Sequence, residues 1–387
     1  MTGHIPEDVS PDGRDLREFT DELRRDHAVV KNARGEWVFL KHEDVSAIAL
    51  DDERFSSAVS RFLQVPNGLD GDEHTAFRAA LDPFLSAESL APFEPTFADI
   101  ATNLVATLPR GEAVDAVDTI GARFAVRAQS AWLGWGPELE QTLVEWVQSN
   151  HEASRSGDGT HLAEVAEQFD ALIRGVVDAR RSSHGGVTGD DVTSDLMRTQ
   201  VSRDGVHGRA LSDEELVSVL RNWTGGDLGS IALCVGVIAH HLAGDATLQN
   251  RVRSGVSDAE LDAMIDEMLR IDDPFVTNRR ITTCPVTIGG VDLPEGARVK
   301  LNWTSANRDE TVFGDPDVFD PVGNAHRNLV YGLGRHACPG RLLSTIELRV
   351  ATRALVNGTT SITLAEVSGE REVHPVGGWA DAPVILN

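Results

Sequence analysis

The chain is poor in cysteine, tyrosine and positive charge. Cysteine occurs three times in 387 residues, at Cys234, Cys284 and Cys338. That is too few for a disulfide framework and fits a reducing cytosol. Lys and Arg number 35 against 61 Asp and Glu, a formal charge of −26. Binding nucleic acid calls for the opposite balance, because Lys and Arg neutralise its phosphates; an anionic membrane surface is disfavoured for the same reason. Long apolar runs are missing as well. The longest uncharged one, Gly229 to Ala239, falls well short of the ~20 residues that cross a bilayer. The opening MTGHIPEDVSPDGRDLREFT has no basic patch followed by an apolar stretch, so no secretory leader is expected. These absences point to a cytoplasmic protein with neither nucleic acid nor membrane as partner.

What is present is an ordinary globular mixture, 41% hydrophobic and 25% charged, long enough to bury a sizeable core. Apolar residues recur at three- and four-residue spacing near 72–85, 86–109, 115–133, 137–154, 160–182 and 257–271, which predicts helices. The longest candidate is 212–243. It opens on Ser212-Asp213-Glu214-Glu215, a capping box in which Ser212 caps and Glu215 reaches back to the cap N–H. About 30 residues at 1.5 Å each span ~45 Å, so so apolar a helix should run through the core. Strand signals are short: a hairpin at 28–40 around Arg34-Gly35, another within 279–301 with Gly289-Gly290 and Pro294-Glu295-Gly296 as turns, and two strands in 360–386. No repeat or linker interrupts the chain, which predicts a single, mainly helical domain over 1–387 with small β elements.

Chemistry concentrates in Tyr331-Gly332-Leu333-Gly334-Arg335-His336-Ala337-Cys338-Pro339-Gly340. The glycines let backbone approach a flat ligand or turn with positive φ. Pro339 suits the first turn of a helix, which would put Cys338 at a helix N-terminus, where a thiolate is stabilised. A thiolate in a glycine loop is what a soft axial ligand to iron requires. A buried structural cysteine is the ordinary alternative. Against it, three Gly, one His and one Cys at fixed places arise by chance with a frequency of about 2 × 10⁻⁷ per position.

This loop resembles the haem-binding signature of the cytochrome P450 family, Phe-Gly-x-Gly-x-His-x-Cys-x-Gly, with Tyr331 in place of Phe. Further motifs along the chain match the same family. Glu267-Met268-Leu269-Arg270 resembles its Glu-x-x-Arg ion pair. His74 and Arg78 resemble its His-x-x-x-Arg. Arg280 and His336 match residues that reach the haem propionates, and Gly340 completes the loop. The family usually carries an arginine after Phe-Asp-Pro-x to join the Glu-x-x-Arg pair. Here Phe319-Asp320-Pro321-Val322 is followed by Gly323, leaving His326 or Arg327 as substitutes.

The long helix carries Asn222-Trp223-Thr224-Gly225-Gly226-Asp227-Leu228-Gly229-Ser230. Three glycines in a helix cost roughly 1 kcal/mol each against Ala, so something flat or bulky should approach there, either another helix or oxygen and substrate. Aligned with the family's Ala/Gly-Gly-x-Asp/Glu-Thr, Gly225 and Asp227 match but Leu228 stands where the threonine belongs. Asp227 is then the candidate proton donor, with Thr224, Ser230, a water or the substrate supplying the missing hydroxyl.

The resemblance implies the P450 fold, with haem b between the long helix and the cysteine loop, and a monooxygenase inserting one atom of dioxygen into a small hydrophobic or aromatic substrate by hydroxylation or O-demethylation. It implies a substrate pocket built from Gly225, Leu228, Gly229, Phe275, Val276, Thr277 and Trp379. Because the chain ends soon after its last strands, no fused reductase is expected. Electrons would come from NAD(P)H through ferredoxin reductase and ferredoxin, the latter docking on Arg335, Arg341 and Arg349. Two other readings are a peroxide-using or natural-product-tailoring haem enzyme, and a haem-binding sensor without turnover.

Overall fold

The computed structural model describes residues 5–183, 186–203 and 205–387. Among these the principal helices are α1 (Leu16–Asp26), α2 (Gly71–Leu81), α3 (Glu94–Thr107), α4 (Arg123–Leu133), α5 (Glu140–Ser156), α6 (Gly159–Asp178), α7 (Asp213–Gly244), α8 (Asp258–Ile271) and α9 (Arg341–Asn357). The chain divides into two compact units, one of residues through 61, 257–338 and 370–380, the other of 62–256, 339–369 and 381–387.

The first unit is built on a five-stranded sheet. Strands β1 (Val29–Lys31) and β2 (Trp37–Phe39) form the predicted antiparallel hairpin, with Gly35 at φ +71° in its turn. A strand at Arg298–Asn302 runs parallel to β2 and antiparallel to Thr277–Thr282, which in turn pairs with Phe55–Ser56. Phe39, Phe55, Leu301 and Trp303 bury one face against Val45 and Ile48. The hairpin predicted within 279–301 separates into two features. Val286–Ile288 pairs with Val291–Leu293 across Gly289-Gly290, both at positive φ, as a two-residue hairpin turn requires; the following strand joins the larger sheet instead.

The second unit surrounds α7. Its capping box is formed: Ser212 Oγ accepts from the Glu215 N–H and the Glu215 carboxylate accepts from the Ser212 N–H. A π-helical turn, Ala116–Ala122, lies along α7. A Cβ on Gly121 would come within 2.6 Å of the Ala232 carbonyl oxygen, and one on Gly236 within 2.4 Å of Val117 Cγ2. The absence of side chains at both places lets the two helices close. Ile362–Leu364, Pro383–Leu386 and Ala113–Asp115 form a three-stranded antiparallel sheet. α7 is long and apolar enough to cross a membrane by length and composition, but 67% of its most apolar window is buried within the protein.

Candidate active site

The cysteine loop lies in the first unit. It is closed by the Cys338 N–H donating to the Tyr331 carbonyl at 2.8 Å. Gly332 and Gly334 take positive φ, +69° and +76°, and a Cβ on Gly334 would come within 2.7 Å of the Ala49 carbonyl oxygen. Glycine is therefore required at 334 both for its conformation and for its space. Cys338 is half-buried and forms no disulfide. The helix begins later than predicted: α9 starts at Arg341 with Gly340 at its N-cap, so Pro339 and Cys338 precede the first turn. Gly340's backbone, not the proline ring, makes the transition. One soft, unbridged thiol in a loop held by its own backbone is a donor set that fits thiolate ligation of haem.

Glu267 and Arg270 form a fully buried pair, bidentate at 2.8 and 2.9 Å. The expected substitutes for the missing arginine do not join it. Arg327 donates instead to His326 and to the Val312 carbonyl. Asn324, one residue after Gly323, takes the position, its amide donating to Glu267 Oε1 at 2.7 Å beside the Asp320 N–H at 3.0 Å. Arg270 in turn donates to the carbonyls of Asn307, Pro316 and Val318 and lies over the Phe313 ring. A buried ion pair is tolerable only when its remaining donors and acceptors are satisfied in this way.

The remaining haem-contact candidates fall in both units. His74 is buried on α2, and Arg78 follows one turn later with its Nε 2.5 Å from Asp82. Arg280 is buried on the Thr277–Thr282 strand, and His336 ends the short 3₁₀ turn of the cysteine loop. Of the expected docking arginines, Arg349 is buried and paired with Glu94 at 3.0 Å. Facing inward on α9, it offers no surface to a partner. Arg335 is half-exposed beside Asp52, and Arg341 is exposed.

In the second unit, the approach to the α7 glycines is made by protein side chains. A Cβ on Gly225 would come within 3.1 Å of both Trp146 and Phe169, and one on Gly229 within 2.9 Å of His151 Nε2; at Gly226 nothing lies within 4 Å. Trp146 and Phe169 stack with centroids 3.9 Å apart. Close helix packing therefore accounts for two of the three glycines. His151, which sequence reasoning missed, is buried and hydrogen-bonded to the Gly229 backbone, and burial lowers its pKa to about 4. Its partner lies 78 residues away in the chain, and no local pattern marks it.

Thr224 is buried with its hydroxyl donating to the Leu220 carbonyl of its own helix, Leu228 is buried, and Ser230 is half-buried. Asp227 accepts a 3.3 Å hydrogen bond from Gln129 on α4. The residue keeps some exposed surface, yet burial of its carboxyl raises the pKa to about 7. Such a group changes charge near neutrality, as a proton-transferring acid must.

Two pocket candidates meet in the first unit. The Gly377 N–H donates to the Pro274 carbonyl, and a Cβ on Gly377 would come within 3.1 Å of Val276. Phe275 and Thr277 are half-buried on the same segment. Trp379 is committed elsewhere: its indole N–H donates to Asp272, and Arg371 lies 3.6 Å over its ring while pairing with the same aspartate. That arrangement makes it a buried structural residue. Gly225, Leu228 and Gly229 lie together on α7 in the second unit.

A helical fold with a glycine-bounded cysteine loop and a buried Glu-x-x-Arg pair defines a haem-thiolate class of protein. The family model for cytochrome P450 matches residues 155–358, just over half the chain, and the protein belongs to that family. The chain is similar to the erythromycin C-12 hydroxylase of Saccharopolyspora erythraea, at 26% identity over 88% of this chain and 86% of that protein. It is also similar to the cyclomarin C epoxidase CymV of Salinispora arenicola, at 27% identity over 92% and 91%. A solved structure of a mutant of P450 EryK, from S. erythraea, in complex with erythromycin B matches with a TM-score of 0.81 at 25% identity over 96% of both chains. The protein is a P450 monooxygenase, an oxidoreductase of the haem-thiolate type, and these relatives are bacterial.

Proposed function

We propose that this P450 inserts one oxygen atom into an apolar substrate, with the whole chain acting as one haem b module. Cys338 is the axial thiolate in this reading. His74, Arg78, Arg280 and His336 hold the haem carboxylates, and Gly340 completes the loop. The observation that supports it is the closed cysteine loop, whose glycines and backbone hydrogen bond hold Cys338 in a tight turn. When bound, the haem supplies dioxygen activation. The chain's residues position the group, line the pocket and move protons. Asp227 is the proton-delivering acid, since it titrates near neutrality. With the Thr224 hydroxyl committed to its helix backbone, Ser230 or a substrate hydroxyl remains as its oxygen partner.

Electrons come from separate redox proteins, a ferredoxin and its NAD(P)H-dependent reductase, with Arg335 and Arg341 as the positive points on an acidic surface. The pocket candidates are mostly apolar in each unit taken by itself, Leu228 and Gly229 in the second and Phe275, Val276 and Thr277 in the first, which suits a compact hydrophobic substrate. A natural-product-tailoring role is favoured by the relatives whose names record hydroxylation and epoxidation of such compounds, and it fits a substrate that brings its own hydroxyl to the place occupied here by Leu228.

The ligand assignment is tested by the reduced carbon monoxide complex. Cys338→Ala should abolish the red-shifted band of thiolate ligation, while Cys234→Ala and Cys284→Ala keep it. An unchanged band in Cys338→Ala would overturn the reading.

A further inference from the structure

Two parts of the candidate site lie in the first unit, the pocket segment that begins at Pro274 and the cysteine loop that follows Leu329. One side chain stands between them. Asn307, which follows the helical turn Trp303–Ala306, is 0% exposed. Its Nδ2 donates to Asp273 Oδ2 at 2.9 Å, and its Oδ1 accepts from the Leu329 N–H at 2.8 Å. Asp273 is 1% exposed, and its other oxygen accepts from the Phe275 N–H at 2.7 Å. Two side chains thus bridge two backbone N–H groups, one in the pocket segment and one at the head of the loop.

The backbone of Asn307 is engaged as well. Its carbonyl accepts from Arg270 of the buried ion pair, and its N–H donates to the Trp303 carbonyl. Trp303 in turn donates its N–H to the Val276 carbonyl. On the loop side, the Leu329 carbonyl accepts from the Gly332 N–H and the Tyr331 carbonyl from the Cys338 N–H, both at 2.8 Å. The Leu329 peptide is therefore a fixed point from which the loop runs to its thiol. The bridge also has a polarity. Both its ends are donors, so it needs one side chain that accepts on both sides and one that accepts on one side and donates on the other. A carboxyl and an amide meet this in either order; two amides do not.

We propose that Asn307 is a positioning residue that ties the cysteine loop to the pocket segment, its amide oriented by Asp273 so that its oxygen holds the Leu329 peptide and, through it, the loop that carries Cys338. A displacement at either end is then felt at the other, because turning the Asn307 amide to suit one partner removes it from the second. For the reaction, this keeps the thiolate and the wall that the substrate meets in one register. The inference rests on the reading of Cys338 as the axial thiolate and of Phe275, Val276 and Thr277 as pocket residues.

Amide hydrogen exchange in the holoenzyme tests the bridge without turnover, in Asp273→Asn and in its combination with Asn307→Asp. In Asp273→Asn the new side chain keeps its oxygen on the Phe275 N–H, two residues on, as an Asx turn does. Its NH2 then faces the Asn307 amide, which can accept only by turning its own oxygen away from Leu329. Exchange at the Leu329 amide should rise roughly five- to tenfold, while the Phe275 amide, much nearer the substitution, keeps its rate. A merely local defect at 273 would do the reverse. The combined variant exchanges acid and amide, satisfies both N–H groups again, and should return Leu329 to the wild-type rate. The red-shifted band of the reduced carbon monoxide complex should decay faster in Asp273→Asn than in the wild type, and at the wild-type rate in the combined variant. A Leu329 amide unmoved in Asp273→Asn, or not restored by the exchange of the two groups, would overturn the bridge. A band equally durable in all three proteins would overturn its effect on the thiolate. Cys338→Ala tests the ligand reading separately, and a band that survives there leaves the hydrogen-exchange result to stand or fall alone.

Discussion

At the scale of single residues, the buried Glu267–Arg270 pair shows what spacing conveys and where it stops. A glutamate and an arginine three apart on a helix are legible as a pair, and the structure buries them together. The identity of the third partner was not legible, because the usual position holds Gly323 and the residue that reaches Glu267 is its neighbour Asn324. An amide can do the work here because Arg270 already neutralises the carboxylate, and what remains is one lone pair to satisfy. Asn324→Ala should therefore destabilise the protein by about 1.5–3 kcal/mol, the range for a lost hydrogen bond to a charged group, read as a lower urea midpoint. His326→Ala should leave the midpoint nearly unchanged. A shift in the His326 variant comparable with that of Asn324→Ala would show that the histidine supports the pair after all. Gln129 and His151 escaped sequence reading for a common reason. Each matters through a residue far away in the chain, and neither sits in a local pattern.

Among elements, the long helix was the most legible feature. Its capping box and its apolar length are both local properties, and both formed as expected. Its glycines were readable only as a request for space, not for what would fill it. Trp146, Phe169 and His151 occupy the space at Gly225 and Gly229, while Gly226 meets nothing. The two situations predict opposite signs. Gly226→Ala should stabilise the helix by about 1 kcal/mol, the helix-propensity difference alone. Gly121→Ala, whose new methyl would meet backbone atoms of Ala232 at 2.6–3.0 Å, should destabilise by about 1–3 kcal/mol, because backbone cannot rotate away. Urea denaturation of the two holoenzymes checks both, and destabilisation by Gly226→Ala would mean that its open side is needed for something other than packing. The short strands were less legible than the helices. A three-residue strand such as Val286–Ile288 has too few residues to declare its partner, and the sheet that Arg298–Asn302 joins is assembled from segments more than 200 residues apart.

For the molecule as a whole, the excess of acid has a consequence for stability against pH. Some carboxylates are held low by partners, as Arg209 holds Glu215 and Arg308 holds Asp317. Their contribution is present above the ordinary carboxylate range and is lost as pH falls through their lowered values. The buried acids work the other way. Burial raises Asp44 to about 6, Asp227 to about 7 and Asp273 to about 8, from 3.8 in each case. Between 3.8 and those values the folded protein binds more protons than the unfolded chain, so stability falls as pH rises. His151 opposes them at the acid end. With its pKa lowered from 6.5 to about 4, its contribution is complete above 6.5 and is lost as pH falls towards 4. Above pH 6.5 only the buried acids with the highest values still change, and the growing negative charge of a −26 chain adds self-repulsion in the same direction. The urea midpoint of the holoenzyme should therefore fall steadily from pH 6.5 to 9. Asp273 is the best handle on this slope. It accepts from the Phe275 N–H and the Asn307 amide, and it carries the highest value of the three. Asp273→Asn should cost stability at pH 6, where the wild-type acid is already neutral and the new amide group faces the Asn307 donor. Its midpoint should nevertheless decline less than that of the wild type between pH 6.5 and 9, because no charge has to be buried. A wild-type midpoint that is level or rising across that interval, or an Asp273→Asn slope as steep as the wild type's, would show that these acids ionise in the folded protein without penalty.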